Sequence, residues 1–202
     1  MPDGGRQPSV TGVLLAAGSA ERFGADKRWQ PLPSGLTIAE QSAARLVAGV
    51  PNSVAVVRPG DARLAARLAA LGLQVVVNPD ADQGMGSSLA CAVTASRRAA
   101  GWVIALADMP FINTQSYAAV AGAIRRQVIV VPQCAGRRGH PVGFGAWFGV
   151  QLQGCRGDQG ARDIVDTHTD KHITLALADA GIRQDVDRPS DLTALGVSGD
   201  TP

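Results

Sequence analysis

Aromatic residues make up only 4% of this 202-residue chain, and the net charge is just +2. With no stacking platforms and no basic stripe, nucleic acid is not an expected partner. Cys91, Cys134 and Cys155 are far apart and odd in number, which fits neither a disulfide framework nor a zinc site and leaves buried free thiols as the reading. No apolar run approaches membrane-spanning length, and the polar, Gly/Pro-rich stretch Met1–Pro8 holds no apolar signal segment. A cytoplasmic protein without a membrane partner is expected. Internal repeats and low-complexity segments are absent as well. So are two familiar phosphate motifs. A P-loop needs Gly-Lys-Ser/Thr, whereas Lys27 lies between Asp26 and Arg28. A dinucleotide fingerprint needs three glycines at fixed offsets, and Gly18 and Gly24 have no second glycine between them. Gly84-Met85-Gly86-Ser87-Ser88-Leu89 lacks the third glycine. No Ser-His-Asp order with a nucleophile elbow appears, so no covalent nucleophile is expected.

What the chain has is 46% hydrophobic residues, enough for one domain with a sizeable core. β-rich apolar runs alternate with helical patterns, the sign of βαβ units and a mainly parallel sheet. Strands are expected at 12–16, 53–57, 74–77, 102–107 and 128–131, and helices at 38–48, 61–71, 87–99 and 114–126. Thr37 with Glu40 forms a capping box, and the second helix starts after Asp61 and stops at Gly72. Beyond Val131 the alternation breaks up, with short strands near 142–145 and 173–177 and helices near 160–167 and 190–195. A single domain over 11–197 is expected after a disordered tail, 1–10, with Ser198–Pro202 frayed.

The most informative stretch is Leu15-Ala-Ala-Gly-Ser-Ala-Glu-Arg-Phe-Gly-Ala-Asp-Lys27. A buried strand ending near Gly18 lets backbone N–H groups approach an anion, and Arg22 and Lys27 bring a planar fork and a point charge to the same loop. The alternative is a plain Gly-rich turn with solvated charges. Asp108 ends an apolar strand before Met109-Pro110, where its carboxylate suits Mg²⁺ or else caps the turn. Gly84 to Ser88 opens a helix whose amides and hydroxyls can bind a ligand, or can serve as a plain N-cap. Asn78-Pro79 precedes it and is equally a common turn. Gly18, Asn78, Gly84 and Asp108 all follow expected strands and converge on one crevice. His140, with Arg137 and Arg138 before it, can gather an anionic substrate or stand in a rigid loop with solvated arginines. His168 and His172 can share a helix face, but Thr169, Asp170 and Lys171 suggest a polar helix end, and no third ligand is in view. Asp185 reads as solvated and Asp191 as part of a helix N-terminus.

The loop Leu15-Ala16-Ala17-Gly18…Arg22…Gly24…Lys27 resembles the signature loop of the MobA-like nucleotidyltransferases, closest to the molybdenum-cofactor cytidylyltransferase branch. Asn78-Pro79, Gly84 to Leu89, Ala107 to Pro110, Gly139-His140-Pro141, Gly157 to Arg162 and Asp185 to Pro189 follow in the same order, so the resemblance covers about residues 11–196. It implies a three-layer Rossmann-like α/β fold and Mg²⁺-dependent transfer of CMP from CTP to a phosphorylated, pterin-type acceptor, with pyrophosphate released and possible service to a molybdoenzyme. It assigns catalysis to Arg22, Lys27 and Asp108, and metal to Asp108 and Asp187. Nucleotide contacts fall to Leu15, Ala16, Ala17, Gly18, Arg22, Lys27, Asn78, Gly84 and Ser88, and acceptor contacts to Arg138 and His140. Guanylyl-transferring relatives tend to carry a second glycine where Ala17 stands, which favours CTP over GTP. The rivals are an NAD(P)H-linked oxidoreductase, since a nicotine-blue reductase is similar to this family, and a non-catalytic carrier of the pterin cofactor.

Overall fold

Runs rich in Val, Ile and Leu with no helical period become strands, and the amphipathic stretches between them return the chain for the next strand. The structure is a computed structural model that describes residues 9–18, 26–188 and 191–192. In chain order it places β1 (Val10–Leu15), α1 (Ile38–Gly49), β2 (Ser53–Val57), α2 (Ala62–Ala70), β3 (Gln74–Val77), α3 (Met85–Ala95), β4 (Gly101–Leu106), α4 (Thr114–Ala123) and β5 (Ile129–Cys134). It continues through β6 (Arg137–Arg138), β7 (Val142–Gly145), α5 (Gly149–Gln153), α6 (Arg162–Thr167) and β8 (His172–Ala176). Arg22, Gly24, Pro189 and both expected tails lie outside the described residues apart from Ser9 and Val10; of the helix expected at 190–195, Asp191 and Leu192 are helical.

The eight strands form one sheet in the order β3-β2-β1-β4-β7-β5-β6, with β8 pairing β5. β3, β2, β1 and β4 run parallel, as do β5 and β8, while β7 lies antiparallel between β4 and β5. Helices cover both faces, giving the three-layer, Rossmann-like α/β fold. The alternation along β1 and β2 assigns the layers. Leu14, Ala55 and Val57 pack with Leu46 of α1, Leu68 of α2 and Tyr117 of α4. Val13, Leu15, Val54 and Val56 pack with Leu89 and Val93 of α3 and Leu152 of α5.

The capping box forms, with Glu40 accepting from the Thr37 N–H at 2.9 Å and Thr37 Oγ1 accepting from the Glu40 N–H. α3 departs from its expected 87–99. It starts two residues early because Gly84 takes φ +94 at the N-cap, a conformation that glycine adopts without cost. It stops at Ala95 because Ser96 Oγ donates to the Ala92 carbonyl and accepts from the Trp102 indole at 2.9 Å. β6 has no sequence signal beyond Ala135-Gly136, whose φ values of 50 and 72 make the two-residue hairpin turn from β5. α5 is likewise not expected from the pattern.

Candidate active site

Four parallel strands end on the same edge of the sheet, and the residues following each come together there. Ala16 to Gly18 follow β1, Arg58 and Pro59 follow β2, Pro79 follows β3, and Ala107 and Asp108 follow β4. With Lys27, Gly84 and Ser88 they wall a cavity of about 660 Å³. Strand carboxyl ends are where ligands gather in open α/β sheets. Of the nucleotide contacts implied by the resemblance, Leu15, Ala16, Ala17, Gly18, Lys27, Gly84 and Ser88 line this space, as does Asp108.

At one end of the cavity, Lys27 Nζ donates to Asp108 Oδ2 at 2.9 Å and to Asp187 Oδ1 at 2.7 Å. Residues 81 and 160 positions away in sequence thus share one ammonium. The backbone builds the meeting. Val186 N–H donates to the Asp108 carbonyl at 2.9 Å, which brings the late acidic segment beside the end of β4. Asp191 Oδ2 accepts from the Asp187 and Arg188 N–H groups at 2.8 and 2.7 Å, fixing the turn that carries Asp187. Burial opposes the charge on Lys27, but Asp108 and then Asp187 outweigh it, so its pKa lies above an ordinary lysine's.

Asp108 Oδ1 is buried with no hydrogen-bond partner. Carboxylate oxygens with an orphaned lone pair fit a hard divalent cation such as Mg²⁺ or Mn²⁺. Among the described residues no group of three or more His, Cys, Asp or Glu side chains is placed to hold a metal. A cation here would therefore complete its shell from substrate oxygens and water.

Arg28 was no more than a neighbour of Lys27 in the sequence. The structure buries it and engages all three nitrogens of its guanidinium: Nε and Nη2 donate to Asp26, and Nη1 donates to the Ala16 carbonyl at 2.6 Å and to Asp61 at 2.5 Å. This clamp ties the short 3₁₀ turn Lys27–Trp29 to the loop after β1 and to the start of α2. Asp61 therefore spends its side chain on arginine instead of capping α2. Burial works against the Asp26 carboxylate, and Arg28 overcomes it and holds its pKa below the ordinary range.

At the other end, Asn78 is buried, and its amide donates to Ser87 Oγ at 2.9 Å and Ser88 Oγ at 3.2 Å, while its carbonyl accepts from the Asp80 N–H. Ser87 Oγ donates back to the Asp80 and Gly84 carbonyls. Asn78 stands behind the serines, and Ser88 is the one that reaches the cavity wall. Gly86 N–H donates to the Gly157 carbonyl at 2.7 Å, so residues 156–158 cover the first turn of α3 and add Asp158 to the wall. A Cβ on Gly84 would meet the Gly157 carbonyl carbon at 2.6 Å, and one on Gly86 the Arg156 backbone at 2.6 Å.

His140 sits between β6 and β7, and its N–H donates to the Ile182 carbonyl at 2.7 Å. Burial pushes its imidazole pKa down, against the pull of Asp108, the Ile104 backbone and Asp185; Nδ1 is buried without a partner. The ring is thus placed near Asp108 although it does not wall the cavity. Arg138 lies on β6 with its side chain 53% exposed, 3.6 Å from Asp166, and is not brought to the cavity. His168 Nε2 meets Gln151 Oε1 at 3.0 Å and His172 Nε2 the Val165 carbonyl at 2.8 Å, so both imidazoles are engaged in packing the C-terminal segment. All three cysteines are free thiols, Cys155 buried and the others half-buried.

Residues 12–173 match the MobA-like NTP transferase domain family. The chain is 30% identical over 164 residues to the nicotine blue oxidoreductase of Paenarthrobacter nicotinovorans, covering 77% of this chain and 80% of that one. It superposes on the crystal structure of Rv0371c from Mycobacterium tuberculosis with a TM-score of 0.80 at 28% identity, covering 96% of this chain and all of that one. A manganese complex of the same mycobacterial protein superposes with a TM-score of 0.76 at 27% identity, over 93% and 97% of the two chains. No helix of the described residues is long and apolar enough to cross a membrane. With a nucleotide-sized cavity at the strand ends, a lysine shared by two aspartates beside it, and the match over most of its length, this chain belongs to the MobA-like NTP transferase family.

Proposed function

We propose that this protein transfers CMP from CTP to a phosphorylated acceptor of the molybdopterin or molybdenum-cofactor type, with a divalent cation, Mg²⁺ or Mn²⁺. The observation that carries this reading is Lys27 held between Asp108 and Asp187 at the cavity wall, with Asp108 Oδ1 left unpartnered. An acceptor phosphate oxygen forms the new bond to the α-phosphorus, the bond from that phosphorus to the oxygen bridging the β-phosphorus breaks, and pyrophosphate leaves with the electron pair. Nothing covalent is asked of the protein, so positioning and charge stabilisation supply the rate.

Asp108 and Asp187 would hold the cation, which when bound supplies positive charge against the phosphoryl oxygens. Lys27, no longer needed between the carboxylates, would turn its ammonium to the triphosphate together with Arg22. The loop Ala16–Gly18 brings backbone N–H groups to the same phosphates. Ser88, its Oγ already accepting from Asn78, retains its own proton to donate to the base. Gly84, whose missing side chain lets the Gly157 backbone and Asp158 close against it, would bring Asp158 to the base side of the cavity. His140, beside Asp108 with its pKa held down by burial, would stand on the acceptor side as an uncharged imidazole. Ala17, 5% exposed, fills the position where guanylyl-transferring relatives tend to have glycine.

The test is pyrophosphate release from each of four NTPs with a molybdopterin-type acceptor and Mg²⁺ or Mn²⁺. CTP is expected to be the preferred donor, and equal or faster release from GTP would overturn the cytidylyl assignment. The relative named nicotine blue oxidoreductase favours a second reading, NAD(P)H-linked reduction. That reading wins if no NTP yields pyrophosphate while NADPH is oxidised with a suitable acceptor.

A further inference from the structure

Among the described cations of the cavity wall, one has no carboxylate of its own. Lys27 is shared by Asp108 and Asp187, and Arg28 is bound to Asp26 and Asp61. Arg58 lines the same cavity, and among the described residues no carboxylate lies within hydrogen-bond distance of it. Its Nε lies 3.6 Å from Asp61 Oδ2, an oxygen that Arg28 already holds at 2.5 Å. Its Nη2 donates to the Gly18 carbonyl, and its Nε is buried with no hydrogen-bond partner. A buried donor left unpaired is costly, and a guanidinium in that state is an anion site awaiting its anion.

Placement specifies the anion. β1 is flanked by β4 on one side and β2 on the other. Lys27 is anchored at Asp108 beyond β4, and Arg58 follows β2. The two cations therefore stand on opposite flanks of the loop Ala16–Gly18, which offers its backbone to phosphates. We propose that Arg58 is a phosphate ligand that takes the terminal phosphoryl groups of the bound nucleoside triphosphate. This rests on the nucleotidyl-transfer reading and adds to it a residue that makes the site prefer triphosphates over monophosphates. The guanidinium reaches the β- and γ-phosphoryls as a fork, its orientation held by the Gly18 carbonyl and by Asp61 behind it.

The experiment is calorimetric titration of the full chain with CTP and with CMP, in Mn²⁺, for wild type, Arg58→Gln and Arg58→Lys. Loss of one charged hydrogen-bonding group predicts roughly 10- to 100-fold weaker CTP binding by Arg58→Gln, with CMP affinity unchanged. Retained CMP binding also shows that the variant is folded. Arg58→Lys is expected to recover part of the loss, because the charge returns without the fork. Unchanged CTP affinity in Arg58→Gln overturns the proposal, and so does an equal loss for CTP and CMP, which would put the arginine on the base or ribose. A wild-type chain that binds CMP but prefers no triphosphate overturns both this inference and the reading beneath it, whereas wild-type preference for CTP with an indifferent Arg58→Gln overturns this inference alone.

Discussion

Lys27 occupies the point between Asp108 and Asp187, at 2.9 and 2.7 Å, for which a divalent cation would compete. That competition makes a prediction of opposite signs. Lys27→Met is expected to bind Mn²⁺ several-fold more tightly in the absence of nucleotide, since two carboxylates lose their resident charge, and to bind CTP more weakly. Electron paramagnetic resonance titration of free Mn²⁺ reads the first and calorimetry the second; Mn²⁺ affinity that falls would show that the lysine does not contend for the metal position. Asp108→Asn keeps the shape of the side chain and removes its charge. Loss of a preorganised electrostatic group costs on the order of 10²- to 10³-fold in rate, and transfer by this variant is expected to fall at least that far while the fold is retained. Near-equal pyrophosphate release from variant and wild type would take Asp108 out of the mechanism.

At the scale of elements, the segment carrying Lys27 is tied down by Arg28 as well as by the lysine's own contacts. Arg28→Met strands Asp26 and Asp61 and breaks the link to the Ala16 carbonyl. Breaking a largely buried ion pair whose partners are partly exposed is expected to cost about 2–4 kcal/mol, seen as a lower urea midpoint. The acid limb shows the same contact. Asp26 has a folded pKa below its unfolded value, so its contribution is full above the unfolded carboxylate range near ~4 and is lost as pH falls through the lower folded value. Arg28→Met is therefore expected to flatten the loss of stability below that range, and an acid limb as steep as wild type's would place the Asp26 contribution elsewhere. The parallel strands and their helices were legible because apolar period, caps and turn glycines are local signals, as Thr37, Glu40 and Gly72 illustrate. Arg28 and Arg58 were not legible as site builders, since their partners Ala16, Gly18 and Asp61 are set by where strand ends meet and by no spacing along the chain. β6 escaped because two residues carry no period. The resemblance gives Asn78 a nucleotide contact, whereas packing commits its amide to Ser87 and Ser88.

For the whole molecule, a ligand that binds the folded chain alone stabilises it by mass action, about 2.7 kcal/mol at 100 times its dissociation constant. With Mn²⁺ present, CTP is expected to raise the melting temperature more than GTP at matched concentration, and an equal or larger shift with GTP would contradict the assignment of the base. The antiparallel strand β7 has a consequence at this scale. It stands between β4 and β5, separating a wholly parallel half, β3-β2-β1-β4, from a half built by β5, β6 and β8. Among the described residues, every one that lines the cavity except Asp158 lies in the first 108 positions, whereas His140 and Asp187 come from the later part. On the proposed function the division of labour is uneven: the first half would hold the nucleotide, and the later part could be exchanged on the acceptor side only where it leaves Asp158 and Asp187 in place.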